Sequence, residues 1–211
     1  MLNNYLTVKG EGSGELIIQK SRFIGYVKRV ETEEDAKAFI QQIKKKHYDA
    51  THNCSAYIIG EHDQIQKAHD DGEPSGTAGV PILNVLKQKE LKDTVVVITR
   101  YFGGIKLGAG GLIRAYSNAT SEALATTGIV KRQLMRTMTV TADYTLLGKL
   151  ENELRASTYQ IQHIDYVENV HLHVYVEEGK EQSFTDWMIN LTNSQVEITQ
   201  GDVSYMEELM Q

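Results

Sequence analysis

Thr94 to Thr99 reads TVVVIT, which places Val95 and Val97 on one face of an extended chain and Val96 and Ile98 on the other. A strand that is apolar on both faces has to be covered on both sides, so it belongs in the middle of a sheet packed between other elements. It runs directly into RYFGGIKLGAGGLIRAY, Arg100 to Tyr116, which holds five glycines. Beyond the glycines, Leu112, Tyr116, Ala119 and Ala123 recur at helical spacing, predicting a helix that starts near Gly110 or Gly111 and runs to about Ala125. The stretch is therefore a buried strand, a glycine turn and a helix, and it organises whatever is built around it.

Around this centre the first part of the chain reads as mixed. Strands are predicted over 6–8, 15–19 and 23–30. Thr32 then opens a helix, with Glu33, Glu34 and Asp35 near its positive end and Lys44, Lys45 and Lys46 near its negative end. Ala36, Phe39, Ile40 and Ile43 form its buried stripe. A strand pair is predicted over 54–59 and 64–69. A short helix follows over 80–87, where Pro81 is tolerated only in the first turn.

From 129 onward the pattern changes to strand, helix, strand, strand, helix and strand, with strands at 135–144, 160–167, 170–177 and 195–205 and helices at 145–155 and 180–191. That order is the ferredoxin-like βαββαβ unit. Two domains are expected, 1–128 and 129–211, in an α+β protein.

Their charges differ. Up to Gln133 there are 18 Lys+Arg against 15 Asp+Glu, a balance of +3, and thereafter 4 against 13, a balance of −9. With 41% hydrophobic and 24% charged residues the chain has the composition of a packed globular protein rather than a disordered one. No window approaches the roughly 18 uninterrupted apolar residues of a membrane span. The start, MLNNY, has neither the cationic nor the apolar part of a secretion signal. The single cysteine, Cys54, forms no internal disulfide, so a cytoplasmic location is expected.

Three stretches offer chemistry. In the glycine loop, the free N–H groups of a helix start, approachable over Gly108, Gly110 and Gly111, suit an anion, and Arg100, Lys106 and Arg114 supply cations. The same glycines equally serve a tight turn, and the run matches neither GxxxxGK[ST] nor GxGxxG. In AHDDGEPSGTAGVP, residues Asp70, Asp71 and Glu73 are placed either to hold a metal or act as a base, or merely to shape a turn with Ser75 or Thr77 as helix cap. In THNCSAY, His52 and Cys54 are either a reactive pair or, the reading preferred here, the start of a buried strand. His171 and His173 share one strand face, but no carboxylate or cysteine is placed locally to complete a metal set. No catalytic residue, metal site or cofactor is assigned.

Taken together, HDDGEPSGTAGVPIL and VVVITRYFGGIKLGAGGLIRAYSNA resemble the IMPACT family in its bacterial, YigZ-type branch. The likeness covers roughly Leu16 to Thr127, and the ferredoxin-like remainder matches the usual second domain of bacterial members. The resemblance implies a first domain similar to the second domain of a small-subunit ribosomal protein, and a second similar to the last domain of elongation factor G. Eukaryotic members regulate translation by competing for an activator of an initiation-factor kinase, and they carry an extra N-terminal protein-binding domain.

For this chain the resemblance implies a translation-linked role through RNA or a ribosome-associated partner, with Asp70, Asp71 and Glu73 as a second element of the site. An enzyme acting on a phosphorylated small molecule and a pure protein–protein adaptor are the alternatives. Homo-oligomerisation is left open.

Overall fold

A computed structural model of the chain describes residues 1–210 of the 211. The chain order begins with strands β1 (Asn4–Val8), β2 (Glu11–Ile18) and β3 (Ser21–Arg29), then helix α1 (Glu33–Lys46) and strands β4 (His52–Ile59) and β5 (Ile65–His69). Helix α2 (Gly79–Gln88), strand β6 (Thr94–Tyr101), helix α3 (Gly108–Thr127) and strand β7 (Ile129–Ala142) follow. After a 3-10 turn at Tyr144–Leu146 come α4 (Leu147–Ala156), β8 (Gln160–Tyr166), β9 (Val170–Glu177), α5 (Glu181–Thr192) and β10 (Glu197–Leu209). The described residues thus form two sheets and five α-helices, a mixed α and β architecture. Two compact units result, one from Met1–Lys131 with residues 208–210, the other Arg132–Glu207.

The sheet of the first unit has the order β2–β3–β6–β4–β5, antiparallel throughout. β6 takes the central place that its two apolar faces require. Val96 and Ile98 join Phe23, Cys54 and Ala56 under α2 and α3, while Val95 and Val97 join Tyr57 and Ile59 under α1. Alternation along one strand therefore divides its side chains between two cores. The helix α1 buries Ala36, Phe39, Ile40 and Ile43, and the Thr32 hydroxyl accepts the Asp35 N–H as its N-cap.

In the second unit the strand order is β10–β7–β9–β8. Here β9 alternates cleanly. Val170, Leu172, Val174 and Val176 are fully buried with Leu150, Leu154, Phe184 and Met188 of α4 and α5, and His171, His173 and Tyr175 lie on the other face. No helix among the described residues is long and apolar enough to cross a membrane.

Candidate functional site

The hairpin turn at Gln19–Lys20, the end of β6 and the start of α3 meet at one corner of the first unit. Gly103 lies so close to this turn that a Cβ on it would sit 2.1 Å from the Lys20 carbonyl carbon. Its N–H donates to Ser21 Oγ at 3.1 Å. The chain then reaches Gly108, whose φ of +70° is a conformation that side chains rarely adopt, and α3 begins there, two or three residues earlier than its sequence predicts. No side chain caps it, since Leu107 occupies the cap position. The N–H groups of its first turn thus lack a side-chain cap.

Beneath this turn the side chain of Arg100 is buried, only 5% exposed, and it is not an open cation as the sequence implies. Its Nη1 donates to Glu73 Oε1 at 2.6 Å, and its guanidinium lies 5.4 Å from the ring centroids of both Phe23 and Phe102. Tyr116, on α3, donates its hydroxyl to the same Glu73 oxygen at 2.8 Å. Arg100 Nε is buried and finds no hydrogen-bond partner among the described residues. An orphaned charged donor beside a surface cleft is costly unless something enters to accept from it.

The cleft itself holds about 440 Å³ and is lined by Glu73 and Pro74 from the first block and by Arg100, Phe102 and Lys106–Ala109 from the second, with Thr51 and His52 at its side. The two blocks, separate in sequence, are brought together here. Of the acidic cluster only Glu73 takes part. Asp70 turns away to serve α2: its carboxylate accepts from the N–H groups of Gly76, Ala78 and Gly79 at 2.8, 3.1 and 2.8 Å. Burial pushes the Asp70 carboxyl up, but those three donors outweigh it and hold it below the ordinary range.

The expected cap of α2 by Ser75 or Thr77 is thus replaced by a remote aspartate, with Ala78 at the cap position. Thr77 Oγ1 instead donates to the Pro74 carbonyl. Asp71 is bound to Lys44 Nζ at 2.6 Å and to the Asn53 N–H at 2.7 Å, and it lines a separate groove with Lys44 and Tyr57.

The remaining positions fall as follows. Lys106 and Arg114 are exposed and make no ion pair among the described residues. A Cβ placed on Gly110 would lie 3.6 Å from Arg114 Nη1, so this side chain folds back along the first turn, and Gly111 packs toward Leu107. Phe102, with Ile105 and Ile113 nearby in sequence, is 47% exposed. Cys54 is sealed beneath the site, its Sγ 2.9 Å from the Asp70 carbonyl and 3.3 Å from Tyr116 Oη. Burial, chiefly, pushes its thiol up, and the Tyr116 phenol is pushed up by burial and then by Cys54 and Glu73. Cys54 is thus fully buried and occupied by these two contacts, as the start of a buried strand would be, while His52 points elsewhere.

His52 instead faces the cleft. Its Nδ1 lies 2.9 Å from the Asp71 carbonyl oxygen, which only accepts, so that nitrogen carries the proton. Its Nε2 lies 3.8 Å from Glu73 Oε2. Ser21 and Tyr116 were not singled out by sequence reasoning. Tyr116 carried the one usable signal, a hydroxyl in an apolar helix stripe that has to find a buried partner.

Residues 19–124, which hold both blocks of this corner, fit the Impact N-terminal domain, and residues 140–195, in the second unit, fit a domain of unknown function, DUF1949. The chain is 59% identical over 99% of its length to IMPACT family member YvyE of Bacillus subtilis (strain 168), covering 96% of that protein. The chain belongs to the IMPACT family. A second IMPACT relative, YigZ of Escherichia coli (strain K12), is 33% identical over 86% of the chain and 90% of its own length. Protein IMPACT of Mus musculus is similar only in part, 35% identical over 43% of this IMPACT chain and 29% of the mouse protein. A crystal structure described as that of an hypothetical protein covers 94% of the chain and 97% of its own, with 30% identity and a TM-score of 0.61.

Proposed function

We propose that this IMPACT chain is a translation-linked binding protein whose first unit takes a phosphate of single-stranded RNA at the start of α3. One observation carries the reading. An uncapped helix start lies beside two exposed cations, Lys106 and Arg114, that make no ion pair among the described residues, and the half-exposed ring of Phe102 offers a base a stacking face. Arg100 shapes this surface from below rather than contacting the strand. The ribosomal-protein-like and ferredoxin-like fold names, a cytoplasmic location and a ribosome-associated partner belong to the same proposal.

Fluorescence anisotropy with labelled single-stranded RNA across a salt series tests it. Each phosphate contact contributes about 0.7 to the slope of log K against log salt, so replacing both Lys106 and Arg114 by Ala should flatten that slope by about 1.4. Binding that ignores salt, or a double variant that binds as wild type, defeats the proposal.

A second reading, recognition of a phosphorylated small molecule, has an observation of its own: Glu73, His52 and Arg100 line one cleft with the glycine loop, and Arg100 Nε finds no hydrogen-bond partner among the described residues. Calorimetry with inorganic phosphate and with a nucleoside monophosphate, without RNA, separates the two. Saturable binding lost on His52→Ala but kept on Arg114→Ala supports the small-molecule site.

A further inference from the structure

The outer face of the second unit's sheet gathers groups that are distant in function from the cleft. β8 and β9 pair antiparallel with His163 opposite His173 and Asp165 opposite His171. Direct partners across an antiparallel pair, and residues two apart along a strand, point to one face. His163, Asp165 and His173 therefore converge. Asp165 Oδ2 lies 3.1 Å from His173 Nε2 and 3.6 Å from His163 Nε2. The two imidazoles stack at 4.0 Å between centroids, with 12° between their planes. The sequence had offered no carboxylate to complete a histidine set on β9. The neighbouring strand provides it.

We propose that His163, Asp165 and His173 bind one divalent transition-metal ion of the zinc class. Bonds of 2.0–2.1 Å in a tetrahedral site place ligand atoms about 3.3 Å apart, and the two observed separations lie on either side of that value. Two imidazole nitrogens with one carboxylate suit zinc, cobalt or nickel and suit magnesium or calcium poorly, because the latter take oxygen ligands.

A supporting contact is already in place. Thr139 on β7 stands opposite His173 and holds its Nδ1 at 3.1 Å through Oγ1, which fixes the ring and turns Nε2 toward the carboxylate. His163, with 50% of its side chain exposed, is the ring free to tilt so that both lone pairs converge on the ion. Three protein ligands leave a fourth position for water or for a donor from a partner.

Isothermal titration of the full chain with zinc chloride, with cobalt as a visible-absorption probe, tests the assignment. One ion per chain is expected. Affinity should fall more than about tenfold in Asp165→Asn and His173→Ala and about tenfold in Thr139→Val. His62→Ala in the first unit should bind as wild type, and magnesium should produce no saturable heat. All these positions lie at the surface or touch it, so a circular dichroism spectrum equal to wild type establishes that each variant is folded. Wild-type zinc binding in a His163→Ala, His173→Ala double variant, or no zinc binding at millimolar concentration, overturns the proposal.

Discussion

Glu73 is 8% exposed, yet its carboxyl oxygen Oε1 accepts from both the Arg100 guanidinium and the Tyr116 hydroxyl. A buried ion pair of this kind contributes little net stability when compared with well-packed apolar side chains. Removing one partner, however, strands the other in a low-dielectric interior. Glu73→Ala is therefore expected to destabilise the first unit by about 3–5 kcal/mol in urea unfolding followed by circular dichroism. Replacing the pair together, Glu73→Leu with Arg100→Met, should recover most of that loss. Failure of the double variant to recover would show that Tyr116, and not Arg100, is the partner that matters. At this scale the sequence was informative about which residue types gather and uninformative about which are spent. Arg100 read as an open cation because its strand position and neighbours are visible in sequence. Its neutralisation by Glu73 depends on a contact spanning 27 residues.

α2 shows at the element scale how a helix can be started from elsewhere. Gly79 and Ala78 donate to Asp70, the residue that follows β5, and not to the serine or threonine just before the helix. Pro81 sits in the first turn, where a missing N–H is harmless. Asp70→Ala is expected to cost about 1–2 kcal/mol at pH 7, the usual loss on removing a cap. The pH dependence has a definite sign. The folded-state carboxyl is held below its ordinary value, so its contribution is complete above about pH 4, the unfolded value, and is lost as pH falls through the folded one. Urea midpoints of wild type and Asp70→Ala should approach each other on acidification below pH 4. A gap that stays constant to pH 2 would count against an ionised cap. The sequence pattern located α1, α2, α3 and both helices of the second unit to within a few residues. Their termini were less legible, because caps are made by side chains the local pattern does not contain.

At the scale of the whole molecule, the three main hydrophobic clusters among the described residues share no buried side chain: two lie on the faces of the first unit's sheet, and one lies between the sheet and helices of the second. The single tryptophan, Trp187, packs with Tyr159 and Phe184 in the second. Its fluorescence consequently reports that unit alone. Leu172→Ala, at a fully buried position of β9, should lower the stability read by Trp187 by about 2–5 kcal/mol. Hydrogen exchange of the β6 amides should remain unchanged. Parallel loss of protection in β6 would show that the two units unfold as one. The sequence by itself determined the alternation and helical periods, hence the order of elements, the central place of β6 and the family, because these depend on neighbours a few residues apart. Only the tertiary structure decided that Arg100 meets Glu73, that Asp70 caps α2 while Glu73 joins the cleft, and that Asp165 joins two histidines across β8 and β9. Those pairings follow from sheet register and helix packing, which bring together side chains that no local pattern connects.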